Sequence, residues 1–285
     1  MGSVGLAVLF MSLLGGAMGL GLAIAAQKFA VEVDPRQKEI MDALPGANCG
    51  ACGYPGCQGF AQALVEGEAE CTLCAPGGKS LVEEISRILG LEAGDIEEKI
   101  AIVRCQGNEA NCSSDARYVG VTSCRACQIL AGGTKTCTHG CLGFGDCVDV
   151  CPFGAIVISK EKLPVIFPDK CTGCGKCVDA CPRTIIDLQP TTQLTHVLCV
   201  NVDKGAKANK VCKTACIACR KCVKKCPFDA IKINNFVAAI DAEKCRNCGL
   251  CTEACPKKCI LDGAAGERKQ AYIQDTCTGC GACVS

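Results

Sequence analysis

The chain has 285 residues, of which 31 are cysteine and none is tryptophan, and its formal net charge at pH 7 is +1. A charge so close to zero gives no argument for binding nucleic acid. The cysteine content approaches that of disulfide scaffolds, but those are short secreted chains, and the spacing of these cysteines is typical of metal sites.

The N-terminal segment is an apolar run, residues 4–26, with no charge before Lys28. About twenty such residues span a bilayer, so the run predicts a transmembrane anchor over residues 1–28. A cleavable signal peptide is the alternative, but it would have a basic start and a shorter apolar stretch. Lys28, Arg36 and Lys38 follow the run, so the positive-inside rule predicts that the rest of the chain is cytoplasmic. A reducing cytoplasm also suits cysteine thiolates that bind metal.

Residues 29–90 are expected to form a small, mainly helical domain. The motif CGACGYPGC contains Cys49, Cys52 and Cys57, and CAPGG contains Cys74. Residues 60–69 have apolar positions at helical spacing, so Cys74 comes from beyond a helix. A second apolar helical face follows at residues 81–89, and the additional Cys71 is interpreted as structural.

Residues 91–130 form a connecting region, in which residues 100–105 have strand character. Four cysteines in this region could hold one more cluster, although nothing in their spacing requires it: Cys105, Cys112, Cys124 and Cys127.

Three later runs have the spacing Cys-x2-Cys-x2-Cys-x3-Cys-Pro. They begin at Cys171, Cys216 and Cys245. Three closely spaced thiolates bind three irons of a [4Fe-4S] cubane, and the cysteine before proline reaches the neighbouring cluster. Zinc is the main alternative, but zinc ribbons pair two Cys-x2-Cys knuckles and do not repeat this pattern.

The chain also contains an internal repeat. Five cysteines recur 75 positions later without a gap. Cys124 thus corresponds to Cys199, and Cys137 corresponds to Cys212. The run at Cys171 recurs at Cys245, an offset of 74. The repeat predicts two tandem two-cluster ferredoxin-like domains, at residues 131–190 and 206–265.

The first repeat departs from the ferredoxin spacing, because Phe144 stands where the second repeat has Cys219. Cys137 is the expected replacement ligand, which leaves its counterpart Cys212 spare. The crossed arrangement of two-cluster ferredoxins then predicts four ligand sets. They are Cys137, Cys141, Cys147 and Cys181; Cys151, Cys171, Cys174 and Cys177; Cys216, Cys219, Cys222 and Cys255; and Cys226, Cys245, Cys248 and Cys251.

A further ferredoxin-type motif begins within residues 270–285, with Cys277, Cys280 and Cys283. Its fourth ligand is expected beyond Ser285. Cys259 is a possible substitute, although it is better interpreted as filling the small buried position that Ala155 and Ala230 hold in the sister motifs.

The motif CGACGYPGC…CAPGG after a membrane helix, followed by ferredoxin runs and the segments VRC, GCLGFGDC and CPF, resembles the B subunit of the Rnf complex. That complex is a membrane-bound, ion-translocating ferredoxin:NAD oxidoreductase. The resemblance implies that Cys49, Cys52, Cys57 and Cys74 bind one [4Fe-4S] cluster, and it favours a bound cluster at the unusual run of the first repeat.

The predicted fold is therefore α+β: a transmembrane helix, a small helical cluster domain and tandem ferredoxin-like domains. The resemblance implies an electron-transfer subunit of a translocase with about six [4Fe-4S] clusters. The resemblance further implies that such a subunit receives electrons from soluble ferredoxin and contacts other Rnf subunits. No substrate site of its own and no cofactor beyond the clusters are expected. The alternatives are a polyferredoxin subunit of a hydrogenase or dehydrogenase, and a structural zinc protein.

Overall fold

The computed structural model describes residues 2–28 and 34–263. The first element is the long helix α1, Gly2–Lys28, whose large apolar side chains are exposed. Its stretch Gly5–Lys28 contains an 18-residue window with a mean hydropathy of 2.1 and is long and apolar enough to cross a membrane. Among the described residues it is the one helix of this kind.

Three helices build the first domain: α2 Pro35–Ala43, α3 Gly56–Glu66 and α4 Gly78–Leu89. The carboxylate of Asp34 caps α2 by accepting a hydrogen bond from Arg36 N at 2.9 Å. α3 ends at Gly67 and α4 at Gly90, both in the left-handed region that terminates helices. The two predicted helical segments are confirmed.

The core of this domain is small and apolar. Its side chains that are at most 1 % exposed are Ile40, Phe60, Ala61, Val82 and Ile85. Val82 and Ile85, both in α4, lie on the helix face that the spacing predicted. Burial of this face holds the three helices together, because short helices gain most of their stability from packing.

The rest of the described chain contains eight short strands. They are β1 Lys99–Val103, β2 Ile156–Ile158, β3 Pro164–Ile166, β4 Ile186–Pro190, β5 Thr195–Val197, β6 Ile231–Asn234, β7 Val237–Ile240 and β8 Ile260–Asp262. They pair as four antiparallel two-stranded sheets, β1–β4, β2–β3, β5–β8 and β6–β7. Two-stranded sheets are marginally stable alone, so these depend on what they enclose.

Six helices accompany the strands, and most of them are short. They are α5 Cys124–Ala131, α6 Asp146–Asp149, α7 Lys176–Ala180, α8 Gly205–Val211, α9 Lys221–Lys225 and α10 Leu250–Ala254. Helices α6, α7, α9 and α10 each carry one cysteine of a predicted run. The mixture of helices and small antiparallel sheets confirms the α+β class.

The structure defines two ferredoxin units by their sheets. The first unit contains β1–β4 and β2–β3, and the second contains β5–β8 and β6–β7. Val103 at the end of β1 faces Ile186 in β4, and Val197 at the end of β5 faces Ile260 in β8. The first unit therefore takes its opening strand from the connecting region 91–130. By this register, β5 is the counterpart of β1.

Candidate metal centres

The first domain gathers four cysteines around α3. Cys57 lies in the first turn of that helix, where its backbone N–H donates to Asn48 Oδ1 at 2.8 Å. Burial raises the pKa of the Cys74 thiol to about 11, and three neighbouring thiols add to the rise. These thiols belong to Cys49, Cys52 and Cys57, so all four cysteines of the expected set lie together. Cys71 is buried in the same apolar core as Cys74.

The second run of the first ferredoxin unit surrounds one concavity of about 310 Å³. Its four sulfurs are the predicted ones, from Cys151, Cys171, Cys174 and Cys177. Ala101 N, in β1, lies 3.4 Å from Cys171 Sγ and donates to it. Gly173 has a φ of +67°, and a Cβ there would overlap the carbonyl oxygen of Lys99. Glycine thus allows the cysteine loop to approach β1 closely.

The second ferredoxin unit has a matching concavity of about 320 Å³. It is lined by the predicted sulfurs of Cys216, Cys219, Cys222 and Cys255. Cys259 also reaches this concavity, and its sulfur lies 3.6 Å from that of Cys255. Cys259 is 2 % exposed, like Ala155 and Ala230, which hold the same place after their own Cys-Pro cysteines.

In the remaining set of the second unit, the thiols raise one another's pKa. Burial raises the pKa of Cys245, and the sulfurs of Cys248 and Cys226 add to the rise. Burial also raises the pKa of Cys251, with contributions from Cys248 and Cys245. These contributions favour the predicted crossed arrangement, in which Cys226 joins the following run.

The remaining set of the first unit differs from the expectation. A concavity of about 350 Å³ is lined by the sulfurs of Cys124, Cys141, Cys147 and Cys181. Burial raises the pKa of Cys147 to about 11, and Cys124 and Cys181 add to the rise. Cys137 lines a different concavity. The arrangement favours Cys124 over Cys137 as the fourth ligand here.

Asp146 explains how Cys124 reaches this set. Its carboxylate, at the start of α6, accepts hydrogen bonds from Cys124 N at 2.7 Å and from Arg125 N and Ser123 Oγ at 3.0 Å. Burial opposes ionisation, but these donors hold the pKa of Asp146 below its usual value. The carboxylate thereby fixes the first turn of α5 beside α6. Spacing could not reveal this contact, because 22 positions separate its two residues.

A buried arginine tests whether the same concavity suits an anionic cluster. Arg183 lines it and is 8 % exposed. One guanidinium nitrogen donates to Gly132 O, but Nε and Nη1 have no partner among the described residues. Buried donors without partners are costly. Thiolate and sulfide sulfurs of a bound cluster would accept from them, so the residues present fit that group.

Within residues 2–28 and 34–263, no three His, Cys, Asp or Glu side chains are arranged to hold a single metal ion. A cubane is larger, because each of its four irons takes a different thiolate. Two of the concavities are lined by four cysteines, and the third by its four predicted cysteines and Cys259, so each offers the four thiolates that a cubane requires.

One more concavity, of about 330 Å³, is lined by four sulfurs that the sequence did not group. They belong to Cys105, Cys137, Cys199 and Cys212. The suggested extra set in the connecting region is not brought together, since Cys105 lies here and Cys124 lies beside Cys141. One feature of the sequence could have indicated this group: Cys137 recurs in the repeat as Cys212, although a ferredoxin motif does not need a cysteine at that position.

The last predicted run, Cys277, Cys280 and Cys283, lies outside the described residues. A family of 4Fe-4S binding domains matches residues 274–285. A family of Fe-S cluster domains matches residues 44–76, and a 4Fe-4S dicluster domain family matches residues 136–185, 170–230 and 215–259. Iron–sulfur domains therefore cover both the first domain and the ferredoxin units.

Three curated relatives are similar over most of the chain. The B subunit of the Na(+)-translocating ferredoxin:NAD(+) oxidoreductase complex of Acetobacterium woodii is 46 % identical over 90 % of this chain and 77 % of its own length. The B subunit of the ion-translocating oxidoreductase complex of Methanosarcina acetivorans is 40 % identical over 87 % and 94 %. The B subunit of the proton-translocating ferredoxin:NAD(+) oxidoreductase complex of Clostridium ljungdahlii is 41 % identical over 92 % and 95 %.

Proposed function

Because the chain belongs to the family of B subunits of the ion-translocating ferredoxin:NAD(+) oxidoreductase (Rnf) complexes, we propose that its clusters form a relay from soluble ferredoxin to the membrane subunits. The chain is an iron–sulfur electron-transfer subunit of this oxidoreductase and translocase. When bound, each [4Fe-4S] cluster supplies a one-electron redox centre. The residues of the chain hold the sulfurs, set their surroundings and keep the sites in sequence.

Five ligand sets within the described residues are proposed. They are Cys49, Cys52, Cys57 and Cys74; Cys124, Cys141, Cys147 and Cys181; Cys151, Cys171, Cys174 and Cys177; Cys216, Cys219, Cys222 and Cys255; and Cys226, Cys245, Cys248 and Cys251. The run at Cys277 adds one more, for about six clusters.

The adjacency of successive sets carries the proposal. Burial raises the pKa of Cys174, and Cys49 of the first domain is among the thiols that add to the rise. Burial raises the pKa of Cys177 to about 12, and Cys147 of the neighbouring set contributes. These contributions favour an arrangement in which the three sites are neighbours. This supports a path from the first domain into the first ferredoxin unit.

The surroundings of the sulfurs suit electron transfer. Backbone N–H groups donate to ligand sulfurs, for example Ala155 N to Cys151 Sγ at 3.4 Å. Such bonds, together with burial and nearby charge, set the cluster potential. Arg183 places a buried positive charge beside the Cys124 set. Its cation favours the more negative, reduced form of that site.

The surface of the second unit supports ferredoxin as the donor. Cys219 is exposed. Four exposed basic side chains follow it closely in the sequence: Arg220, Lys221, Lys224 and Lys225. A basic surface attracts an anionic carrier and speeds its encounter. Because Cys219 is exposed, a carrier that docks on this surface lies close to the site.

The anchor supports a cytoplasmic placement of the clusters. α1 supplies an apolar span, and Lys28, Arg36 and Lys38 follow it. Basic residues stay on the cytoplasmic side of a membrane helix. Protease should therefore reach the cluster domains in inverted membrane vesicles and not in right-side-out vesicles. The opposite pattern would contradict this placement.

Full-length protein, purified anaerobically in detergent, tests the relay. It should be brown, contain iron and sulfide in about equal amounts, and bleach when reduced ferredoxin is added. A colourless protein with stoichiometric zinc would contradict the proposal.

The paired substitution Cys49→Ala/Cys52→Ala removes the first-domain site. The variant chain should still accept electrons from ferredoxin, whereas the assembled complex should lose ferredoxin-dependent NAD reduction. Cys71→Ala, in the same domain core, is the matched control and should retain activity. If the complex with the paired substitution remained fully active, this site would not belong to the path.

A further inference from the structure

The concavity between the two ferredoxin units is similar in volume to the three sites lined by ferredoxin-type sets. Its volume of about 330 Å³ falls among the 310, 320 and 350 Å³ of the three sites lined by ferredoxin-type sets. Like them, it is lined by several cysteines, here Cys105, Cys137, Cys199 and Cys212. Three of these cysteines are buried, and Cys105 is half-buried.

Each ferredoxin unit contributes one equivalent pair of these cysteines. Cys137 and Cys212 are equivalent through the repeat in the sequence. Cys105 and Cys199 are equivalent in space, since each follows the first strand of its unit by two residues. Arg104 N donates to Ile185 O at 2.7 Å, and Leu198 N donates to Cys259 O at the same distance. Each unit thus supplies one pair of cysteines to the concavity, Cys105 and Cys137 from the first unit and Cys199 and Cys212 from the second.

The backbone around these sulfurs follows the pattern of the ferredoxin ligands. Gly107 N lies 3.4 Å from Cys105 Sγ and donates to it. The N–H groups of His139, Asn201 and Thr214 donate in the same way to the cysteines two residues before them. Among the ferredoxin ligands, the N–H groups of Gly143, Lys176, Ala218 and Asn247 do the same. Each N–H favours thiolate charge on its sulfur, whereas burial raises the pKa of Cys137 and Cys199.

A buried amide adds a side-chain donor to the site. Asn201 is 2 % exposed, and its Nδ2 lies 3.4 Å from Cys137 Sγ. Its Oδ1 accepts from Asp203 N at 2.8 Å, which turns the NH2 group toward the sulfur. Asn201 of the second unit therefore donates a hydrogen bond to Cys137 of the first unit.

Two basic side chains lie beside the site. Arg104 lines the concavity and donates from Nε to Val197 O at 3.4 Å. Lys135 is 9 % exposed, and its ammonium group donates to Gly107 O. Buried thiolates need such compensating positive charge.

We propose that Cys105, Cys137, Cys199 and Cys212 bind an additional [4Fe-4S] cluster that joins the two ferredoxin units. The inference rests on the proposed relay and supplies its missing connection. Cys141 N, from a ligand of the first unit, lies 3.4 Å from Cys105 Sγ. Cys216 N, from a ligand of the second unit, lies 3.3 Å from Cys199 Sγ. The site thus contacts one cluster set on each side through a single hydrogen bond.

Cys112 provides the matched control. It is 2 % exposed and shares a hydrogen bond with Cys212, but it does not line the concavity. It also has no cysteine counterpart in the second unit. A pairing of Cys112 with Cys212 as a disulfide is the competing use of these sulfurs, and mass spectrometry of the unreduced chain detects it.

Iron content of full-length, anaerobically purified variants tests the site. Cys137→Ala and Cys124→Ala should each remove about four irons and four sulfides per chain, and the double variant should remove about eight. If Cys137 instead shares the cluster of Cys141, Cys147 and Cys181, the double variant loses only about four. Cys212→Ala and Cys199→Ala should each remove about four, and together no more than either alone. Cys112→Ala should leave the iron content unchanged.

A direct count avoids variants that fold poorly. Native mass spectrometry of Cys277→Ala/Cys280→Ala, which lacks the last motif, should show about six cubanes, and about five would overturn the inference. A disulfide between Cys112 and Cys212 in the iron-loaded chain would also overturn it. Failure of the relay proposal looks different, because reduced ferredoxin would then fail to bleach the cluster-loaded wild-type protein.

Discussion

The two ferredoxin units build the same kind of site from different parts of the chain. In the second unit the run itself contains Cys219, whereas the first unit has Phe144 there and places Cys124 of α5 in the concavity of its run. Asp146 holds α5 in place, and Lys221 stands at the equivalent position of the second unit. A cubane fixes where sulfurs must be, and chain segments far apart in sequence can supply them.

This exchange also changes how each site meets solvent. Phe144 packs edge-on against Tyr118, with ring centroids 5.4 Å apart, and the cysteines at the start of that run are buried. Cys219 of the second unit is exposed, and the helix that follows it reads KCVKK where α6 reads DCVD. The second unit therefore suits exchange with a soluble carrier, and the first suits transfer within the chain.

The largest expected effect comes from exchanging the ligand source. Cys124→Ala should remove about four irons per chain, and adding Phe144→Cys should restore them by giving the first unit the run of the second. Phe144→Cys alone should leave the iron content unchanged. Iron and sulfide analysis of the full-length protein measures this, and a double variant no better loaded than Cys124→Ala would contradict the equivalence of positions 144 and 219.

A smaller effect should follow from reversing charge beside the exposed site. Lys221→Glu/Lys224→Glu should slow reduction by ferredoxin several-fold at low salt and flatten its salt dependence, because rim charges act mainly on the rate of encounter. Lys160→Glu/Lys162→Glu in the first unit is the control. Stopped-flow bleaching gives the rates. Equal slowing in both variants would place the docking surface elsewhere.

The smallest effect should come from the carboxylate that positions α5. Asp146→Ala removes three hydrogen bonds at a helix start, a loss of about 1–2 kcal/mol. It should speed iron release to a chelator from the first unit only, while the exposed Asp149→Ala on the same helix should not. Cluster loss can be assigned to a unit by mapping the newly alkylated cysteines. Release from both units at the same rate would count against a local positioning role.

Much of the fold follows from short-range pattern. Helices over residues 60–69 and 81–89 were expected, and α3 and α4 confirm them. The strand character of residues 100–105 is confirmed by β1, but its partner β4 lies beyond two cysteine runs. Periodicity indicates whether a segment is a helix or a strand. Which strands pair depends on how the chain folds around the sites that the strands enclose.

By itself, the sequence determined the apolar anchor, the kind of cluster and the runs whose ligands lie within a few residues of one another. Those features are local, because a short loop around a cubane leaves little freedom in spacing. Only the tertiary structure decided that Cys124 joins Cys141 and that Cys137 meets Cys212. The strand registers of the two units make Cys199 the counterpart of Cys105, although the two cysteines are 94 positions apart in the sequence. When the packing of whole units brings sulfurs together, the cysteines have no fixed spacing in the sequence, so no motif can reveal them.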